Sequence, residues 1–450
     1  MADLFQQRRN LIIYFLTLVL MGGFAAWIRG LDVPTSWQRS GMVDFCLGFV
    51  LLAAYIIGQV FRMVRLPLIS GYIFAGIALG PYISGFLTRD MVHDLRLVDD
   101  LALSFIALTA GGALRLPFLK QHGKWIMLNI VLQTKVIFGA MSVFVILTRN
   151  CFSLTKNLPF HLATSLAVLV GTIAVARSPS AAIAVINECR ASGPFSDRIL
   201  GVTVALDVLI IVLFTLTLTA IKIILTSAGA LDSQVFLALF LEMSVSIVVG
   251  IVLGKGIACY IHWIGHDLPL FLLFLAFGAT KASFWLSHFM ESHFDFYLHL
   301  EPLLICMSAG FTVQNFSQAG PFFMENLQRI ALPVYVLFFS LAGASLNLDA
   351  LRSCWPMAMC LVVIRAMGIM GGSWLAGTIN RDPPEHNRNA WMGYLTQAGI
   401  SIGLAQLAQR QFPEIGVHLT TLVMAIISVN EMVGPITFKW ALNRVGEAKK

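Results

Sequence analysis

Asp207 stands in the middle of an apolar run, LGVTVALDVLIIVLF, from Leu200 to Phe214. A carboxylate at the centre of a membrane-type helix costs about 2.5–3.5 kcal/mol on insertion scales, so it is a functional candidate by default. Thr203 lies one helical turn earlier on the same face. A desolvated carboxylate needs a neutralising partner. It takes a proton or, with added oxygen ligands, a small dehydrated cation, but not both at once. If such a site faces the two sides of a membrane in turn, this competition alone produces exchange. Hard oxygen ligands suit sodium or potassium and give soft metals no foothold. The bland alternative is an Asp paired with an Arg that merely holds the bundle together.

Oxygen ligands are offered nearby. Gly171–Val185 reads GTIAVARSPSAAIAV, an apolar helix interrupted by Arg177, Ser178, Pro179 and Ser180. Proline breaks the helix and frees backbone carbonyls, while Ser178 and Ser180 add hydroxyls. A second interrupted stretch, LTQAGISIGLA from Leu395 to Ala405, carries Gln397, Gly399, Ser401 and Gly403. Freed carbonyls coordinate cations, and half-helix ends supply partial charges of both signs. Arg177 either balances a half-helix end or a nearby carboxylate, or faces a water-filled vestibule. Arg365, inside the apolar run 356–379, reads as an intramembrane cation that stabilises the core, its acid not identifiable from sequence.

The elements that must hold these residues follow from composition. Of 450 residues, 58% are hydrophobic and 12% charged, about half the charge of a soluble chain. Apolar runs near the ~20 residues needed to cross a bilayer recur from end to end, and the short alternating segments of a barrel are absent. The chain is expected to be an all-α polytopic membrane protein with about 13–14 spans. They fall near 11–28, 43–61, 67–86, 99–114, 125–148, 160–186, 197–224, 235–263, 268–287, 299–315, 330–347, 356–379, 390–409 and 416–440. Residues 11–28 read as an uncleaved helix rather than a signal peptide, because the run exceeds the usual h-region. With that helix retained, Lys and Arg concentrate in the loops that share a side with both termini, which places both termini in the cytoplasm. The net charge of +7 comes with no basic stripe, so no nucleic-acid partner is implied. The seven cysteines are scattered and show no metal or disulfide spacing. No cofactor is expected.

Internal repetition organises the chain. AGGALRLPFL at 110–119 and AGASLNLDAL at 342–351 agree at about half their positions without a gap. Pro67 precedes Ala75-Gly76 much as Pro302 precedes Ala309-Gly310. Equivalent spans are then about seven apart, an odd separation that makes the halves opposite in orientation, as in secondary transporters. The expected division is an extra N-terminal helix (1–40), a first repeat (41–224), an interface helix (235–263), a second repeat (268–442) and a short tail (443–450). The broken segments 160–186 and 390–409 occupy matching places.

From about Leu66 to Leu442 the chain resembles the monovalent cation/proton antiporters, which include sodium/proton exchangers and the bacterial potassium-efflux type. LPLISGYIFAGIALGP (66–81), ALDVLIIVLF (205–214), LFFSLAGASLNLDAL (337–351) and NEMVGPITFKWAL (430–442) carry the likeness by their order and spacing. The resemblance implies crossed broken helices in a mobile core, a homodimer, and alternating access in the bacterial inner membrane. It also assigns ion binding to Asp207, with Thr203 and Ser178 at the positions of the family's neutral ligands. Two features depart from it. Leu206 stands where relatives commonly have Asp or Asn, and the span 330–347 lacks the Lys of electrogenic members. A lone carboxylate trading one cation for one proton moves no net charge, so electroneutral exchange is expected, with Na+ first and K+ or Li+ as alternatives.

Other signals are weaker. SHFMESHFDFYLHLEP (287–302) holds His288, His293, His299, Glu291, Asp295 and Glu301, but fits no common zinc pattern and reads as a solvated loop. Glu188 and Glu242 read as lining residues or as capped surface groups, and Glu431 receives no transport role. An intramembrane enzyme would need a nucleophile–base pair or a second carboxylate at the depth of Asp207, and neither is evident. A channel or non-transporting sensor on the same scaffold remains the other competing reading.

Overall fold

The computed structural model of the protein describes residues 35–449 apart from 65, 157, 227–232, 295–299, 301, 347 and 398, together with positions 17, 19, 20 and 23. The expected span at 11–28 lies almost wholly outside the described residues, as does much of the histidine-rich stretch. Helix is the only regular structure among the described residues. The helices are α1 Thr35–Met63, α2 Leu68–Leu79, α3 Arg96–Ala113, α4 Leu116–Leu147, α5 Phe160–Val175, α6 Pro179–Glu188, α7 Pro194–Thr226 and α8 Ser233–Trp263. They continue as α9 Leu268–Phe294, α10 Pro302–Phe316, α11 Gly320–Ser345, α12 Leu348–Ile379, α13 Pro384–Gly393, α14 Gly399–Gln411 and α15 Pro413–Val445. Two single helical turns, Arg89–Asp94 and Ser153–Lys156, complete the described set. Eight helical stretches among the described residues are long and apolar enough to cross a membrane, and α2, part of α3 and part of α9 are shorter apolar helices. From residue 43 onward these elements fall on the expected spans.

The chain divides into two compact units, one of residues 1–103 and 328–346, the other of 104–327 and 347–450. Each draws on both halves of the sequence. In the first, α2 packs on α11 with no room for side chains at the crossing. A methyl at Gly76 would collide with the Ser340 carbonyl, and one at Gly343 with the Ile73 carbonyl. In the second, α3 packs on α10 in the same manner, Gly111 against the Met307 carbonyl and Gly310 against the Leu108 carbonyl. The four glycines are those of the sequence repeat. Ala75-Gly76 of one half meets Ala342-Gly343 of the other, and Ala309-Gly310 meets Ala110-Gly111. The repeat of sequence is therefore a repeat of contact with the roles exchanged, which is what opposed halves require. Close small-residue crossings are also how membrane helices gain packing where lipid offers no hydrophobic driving force.

Of the spans described, Phe160–Glu188 is the most buried. Its two pieces, α5 and α6, are separated by Ala176, Arg177 and Ser178. Ser178 is extended (φ −108°, ψ 102°), and Pro179 takes the first helical position, where its missing N–H costs nothing. The second broken helix consists of α13 and α14, separated by residues 394–398. The two interruptions meet. The Ser178 N–H donates to the Thr396 carbonyl at 3.1 Å, and the Thr396 hydroxyl donates to the Ser178 carbonyl at 3.4 Å. The crossed, broken pair and the all-helical, opposed-repeat arrangement are thus both present. Alongside run α7, tied to α5 by the Thr172–Thr217 hydroxyl pair at 2.9 Å, and α12, whose backbone kinks at Cys354 ahead of Pro356.

Candidate functional site

Breaking two helices at one depth leaves carbonyl oxygens without their i+4 partners, in a region where each unsatisfied group is costly. Arg365 on α12 resolves this. Its guanidinium, 0% exposed, donates from Nε to the Ala174 carbonyl at 2.7 Å, from Nη2 to Ala176 at 2.9 Å and from Nη1 to Leu395 at 2.8 Å. It thus bridges the C-terminal ends of α5 and α13, both negative ends of helix dipoles. Among the described residues no acid pairs with it. Peptide oxygens take that role, which no sequence pattern reveals. Ala174, Ala176 and Leu395 each thereby give one carbonyl lone pair to Arg365 rather than standing free.

Gln397 closes more of the crossing. Its amide nitrogen donates to the Ile173 carbonyl at 3.1 Å and to the Ser401 hydroxyl at 3.0 Å, and its oxygen accepts from Asn430 at 3.0 Å. Gln397 and Ser401 are therefore brought together with the first break, but as structural ties. Ser178 acts as N-cap of α6, accepting from the Ala181 N–H at 3.3 Å and sharing a hydrogen bond with the Ser180 hydroxyl at 2.8 Å. Each serine oxygen retains lone-pair capacity beyond these bonds.

Asp207 lies on α7, 8% exposed, with Oδ1 buried and without a hydrogen-bond partner. Thr203, a turn before it and buried, donates its hydroxyl to the Ile199 carbonyl at 2.8 Å, leaving its lone pairs unused. None of Ser178, Ser180, Thr203, Gln397 or Ser401 hydrogen-bonds to Asp207. Nor does any described cationic group stand within ion-pair distance of it; the described ion pairs are Arg198–Asp382 and Lys439–Glu188, both at 2.8 Å. The reading of Asp207 as half of a static ion pair therefore fails. Arg177 stands in the first break, between α5 and α6. It is 2% exposed, donates from Nη2 to the Gln133 amide oxygen, and lies over the Tyr394 ring at 4.2 Å. This is a dry, held position, not the water-filled vestibule offered as one alternative.

Sequence reading missed Gln133, Tyr394, Thr396 and Asn430. Gln133 and Asn129, four residues apart in the apolar α4, were visible as a polar pair on one helical face, but nothing in the sequence linked them to Arg177. Of the other acids, Glu188 pairs with Lys439 on α15, Glu242 is half-buried on α8, and Glu431 is buried on α15. Among the described residues no cluster of three His, Cys, Asp or Glu could hold a metal ion.

Comparison with known proteins follows this geometry. Residues 48–444 match the model of a family described as sodium/hydrogen exchanger, transmembrane. Two solved structures of the sodium proton antiporter MjNhaP1 from Methanocaldococcus jannaschii are similar in fold. One, at pH 8, has a TM-score of 0.58 at 16% identity over 90% of this chain and 95% of that one. The other, an electron-microscopy structure, has a TM-score of 0.66 at 15% identity over 91% and 97%. No curated protein matches this chain in sequence.

Proposed function

From the premise that this chain belongs to the sodium/hydrogen exchanger family, an integral membrane cation/proton antiporter rather than an enzyme, we propose that Asp207 is the group over which cation and proton compete. The observation that carries this is the buried, unpartnered Oδ1 of a carboxylate mid-way along an apolar helix that packs on both pieces of the first broken helix. Such an atom is a binding site awaiting a charge, because a buried acceptor left unsatisfied is otherwise a net cost. Thr203, Ser178 and Ser180 supply neutral oxygens for a dehydrated alkali cation, with sodium the expected substrate and potassium and lithium the alternatives. Gln397, Ser401 and Arg365 support the site by holding the broken helices together.

Exchange is one cation for one proton, through alternating access, and electroneutral. What supports this is the single carboxylate, with the buried Leu206 beside it where a second acid would make the count two. The functional unit we infer is a homodimer in the lipid of the bacterial inner membrane, with both termini cytoplasmic. The dimer rests on the family resemblance, and the orientation on the Lys/Arg asymmetry of the loops.

The test is reconstitution into proteoliposomes carrying an imposed pH gradient and a pH-sensitive dye, with Na+, K+ and Li+ added in turn. Wild type dissipates the gradient with saturable cation dependence, and Asp207→Asn does not. Dissipation unchanged in Asp207→Asn would remove the carboxylate from the mechanism. A rate that responds to a clamped membrane potential would refute electroneutrality. Cation flux with no coupled proton movement would point to a channel on the same scaffold.

A further inference from the structure

The end of α12 that lies on the side of the C-terminal tail holds charges the helix crossing does not use. The tail marks that side. Glu447 accepts from the Phe195 and Ser196 N–H groups at the start of α7, at 2.7 and 2.8 Å, and Arg198 just beyond them pairs with Asp382. α12 stops in a tight turn, with the Asp382 N–H donating to the Gly377 carbonyl at 2.8 Å and the Arg381 N–H to the Thr378 carbonyl at 3.2 Å. This pair of bonds puts the first residue past the cap in the left-handed region, where glycine is usual. Arg381 stands there instead, at φ 56°, at a backbone cost a glycine would not incur.

Arg381 and Arg388 line an open pocket of about 500 Å³ with Trp374, Thr378 and Asn387. Both arginines are exposed, and among the described residues no carboxylate pairs with either. Asp382 also borders the pocket, but it is spent, accepting from Arg198 at 2.8 Å and from the Trp125 indole N–H at 2.9 Å. Glu385 is exposed and is not part of the wall. The Asn387 amide donates to the Thr378 hydroxyl at 3.2 Å, and that hydroxyl to the Trp374 carbonyl at 2.7 Å. These bonds tie α13 to the end of α12 and fix the pocket between them.

The depth of the pocket is set by α12 itself. Its outward side is a row of exposed apolar residues, Trp355, Met359, Val363, Met367, Met370 and Trp374, at the three- and four-residue spacing of one helical face. From Trp355 to Trp374 the rise is about 28 Å at 1.5 Å per residue, close to the ~30 Å of a hydrocarbon core. Tryptophan collects at both boundaries of that core. The two residues thus put Trp374 at one boundary and the pocket just beyond it, in the headgroup layer. A guanidinium fork there matches phosphate oxygens, and the acyl chains of the same molecule continue along Met370 and Met367.

We propose that Arg381 and Arg388 form a binding site for the phosphate of an anionic phospholipid, seated at the α12–α13 turn with its chains along α12. The site goes beyond cation exchange and does not depend on it. A lipid held there braces the turn between α12, whose Arg365 ties the two breaks together, and α13, the first piece of the second broken helix.

The experiment follows lipid binding to the detergent-purified full chain by native mass spectrometry and by the melting midpoint. The probes are phosphatidylglycerol, phosphatidylcholine and inorganic phosphate. The variants are Arg381→Gln/Arg388→Gln, Arg388→Gln alone, and Lys120→Gln/Arg190→Gln, which removes the same charge from other exposed positions. Phosphatidylglycerol binds wild type severalfold more tightly than phosphatidylcholine and raises the midpoint, while inorganic phosphate does not. The Arg381→Gln/Arg388→Gln variant loses that preference severalfold, and Lys120→Gln/Arg190→Gln keeps it. Equal binding of the two lipids by wild type, or the same loss in both double variants, would overturn the proposal. A midpoint raised as far by inorganic phosphate would refute the lipid and leave a free-anion site. Should Arg381→Gln/Arg388→Gln melt low without lipid, Arg388→Gln decides, since unchanged phosphatidylglycerol binding there sinks the idea.

Discussion

The two helix interruptions occupy matching places in opposed halves and meet at one crossing, yet they are chemically unlike. The second, residues 394–398, carries no charge of its own: Gln397 uses both ends of its amide, and Leu395 gives its carbonyl to Arg365. The first, residues 176–178, shares that closure through Ala176, but adds a charged side chain with idle donors and a capping serine whose oxygen has capacity to spare. Symmetry of the backbone has not been carried into symmetry of the polar groups. On the exchange reading proposed above, one break is a seam and the other a working surface, so substitutions in the seam should lower stability, and those on the working surface should alter ion affinity.

The largest effect expected is on the element both breaks share. Arg365→Leu leaves three buried carbonyls without this donor, and each buried group left unsatisfied costs about 1–3 kcal/mol. A steep fall in the thermal midpoint of the detergent-purified protein, or failure to recover it, is the outcome to look for. Arg365→Lys should rescue little, because a point charge cannot serve carbonyls on two sides of the crossing. Retained stability in both variants would mean the seam is held by something other than Arg365.

Gln397→Ala probes the second break alone. It strands the Asn430 amide, at a cost of about 1–3 kcal/mol for a buried group left unpaired, while the Ile173 carbonyl keeps its bond from the Ala176 N–H. The measurement is the same melting curve, with the Na+ KM of exchange moving little. A large KM change without loss of stability would make the second break a working surface too, and dissolve the contrast.

How far the sequence anticipated this arrangement differs by level. The helices were legible because a bilayer demands long apolar runs, and the two breaks because Pro179 and the Gln397–Gly403 stretch interrupt such runs. The opposed halves were legible through four glycines, since close helix crossings restrict residue type strongly enough to leave a repeat. Asp207 stood out by cost alone. The partners did not. Arg365 binds backbone oxygens, which carry no residue signature, so looking for an acid could not find these partners. Gln133 is one polar residue among many, and its role depends on α4 passing beside Tyr394, a fact of tertiary packing.

Ser178→Ala sits between the two classes of effect. It removes the N-cap of α6, worth about 0.5–2 kcal/mol, together with one oxygen of the proposed cation shell. Ser178→Gly restores most of the cap's backbone preference but not the oxygen. If the first break is a working surface, both variants raise the Na+ KM by similar factors while only Ser178→Ala loses appreciable stability. Parallel behaviour in KM and stability would reduce Ser178 to a cap.

The smallest effect on the fold, and the sharpest on the contrast, belongs to Thr203→Val. The two side chains are close in shape, and the hydroxyl lost in a helix interior was bonded only to the Ile199 carbonyl one turn back, a bond that stabilises helices little. The folding cost should therefore stay within about 1 kcal/mol, seen as a small shift in melting. A cation held by Asp207 would nevertheless lose a neutral oxygen from the same helical face, whereas a proton needs none. The variant should show a severalfold higher Na+ KM with an unaltered Vmax. Equal KM values for Thr203→Val and wild type would confine the cation's neutral ligands to the serines of the first break and place the binding surface wholly on one side of Asp207.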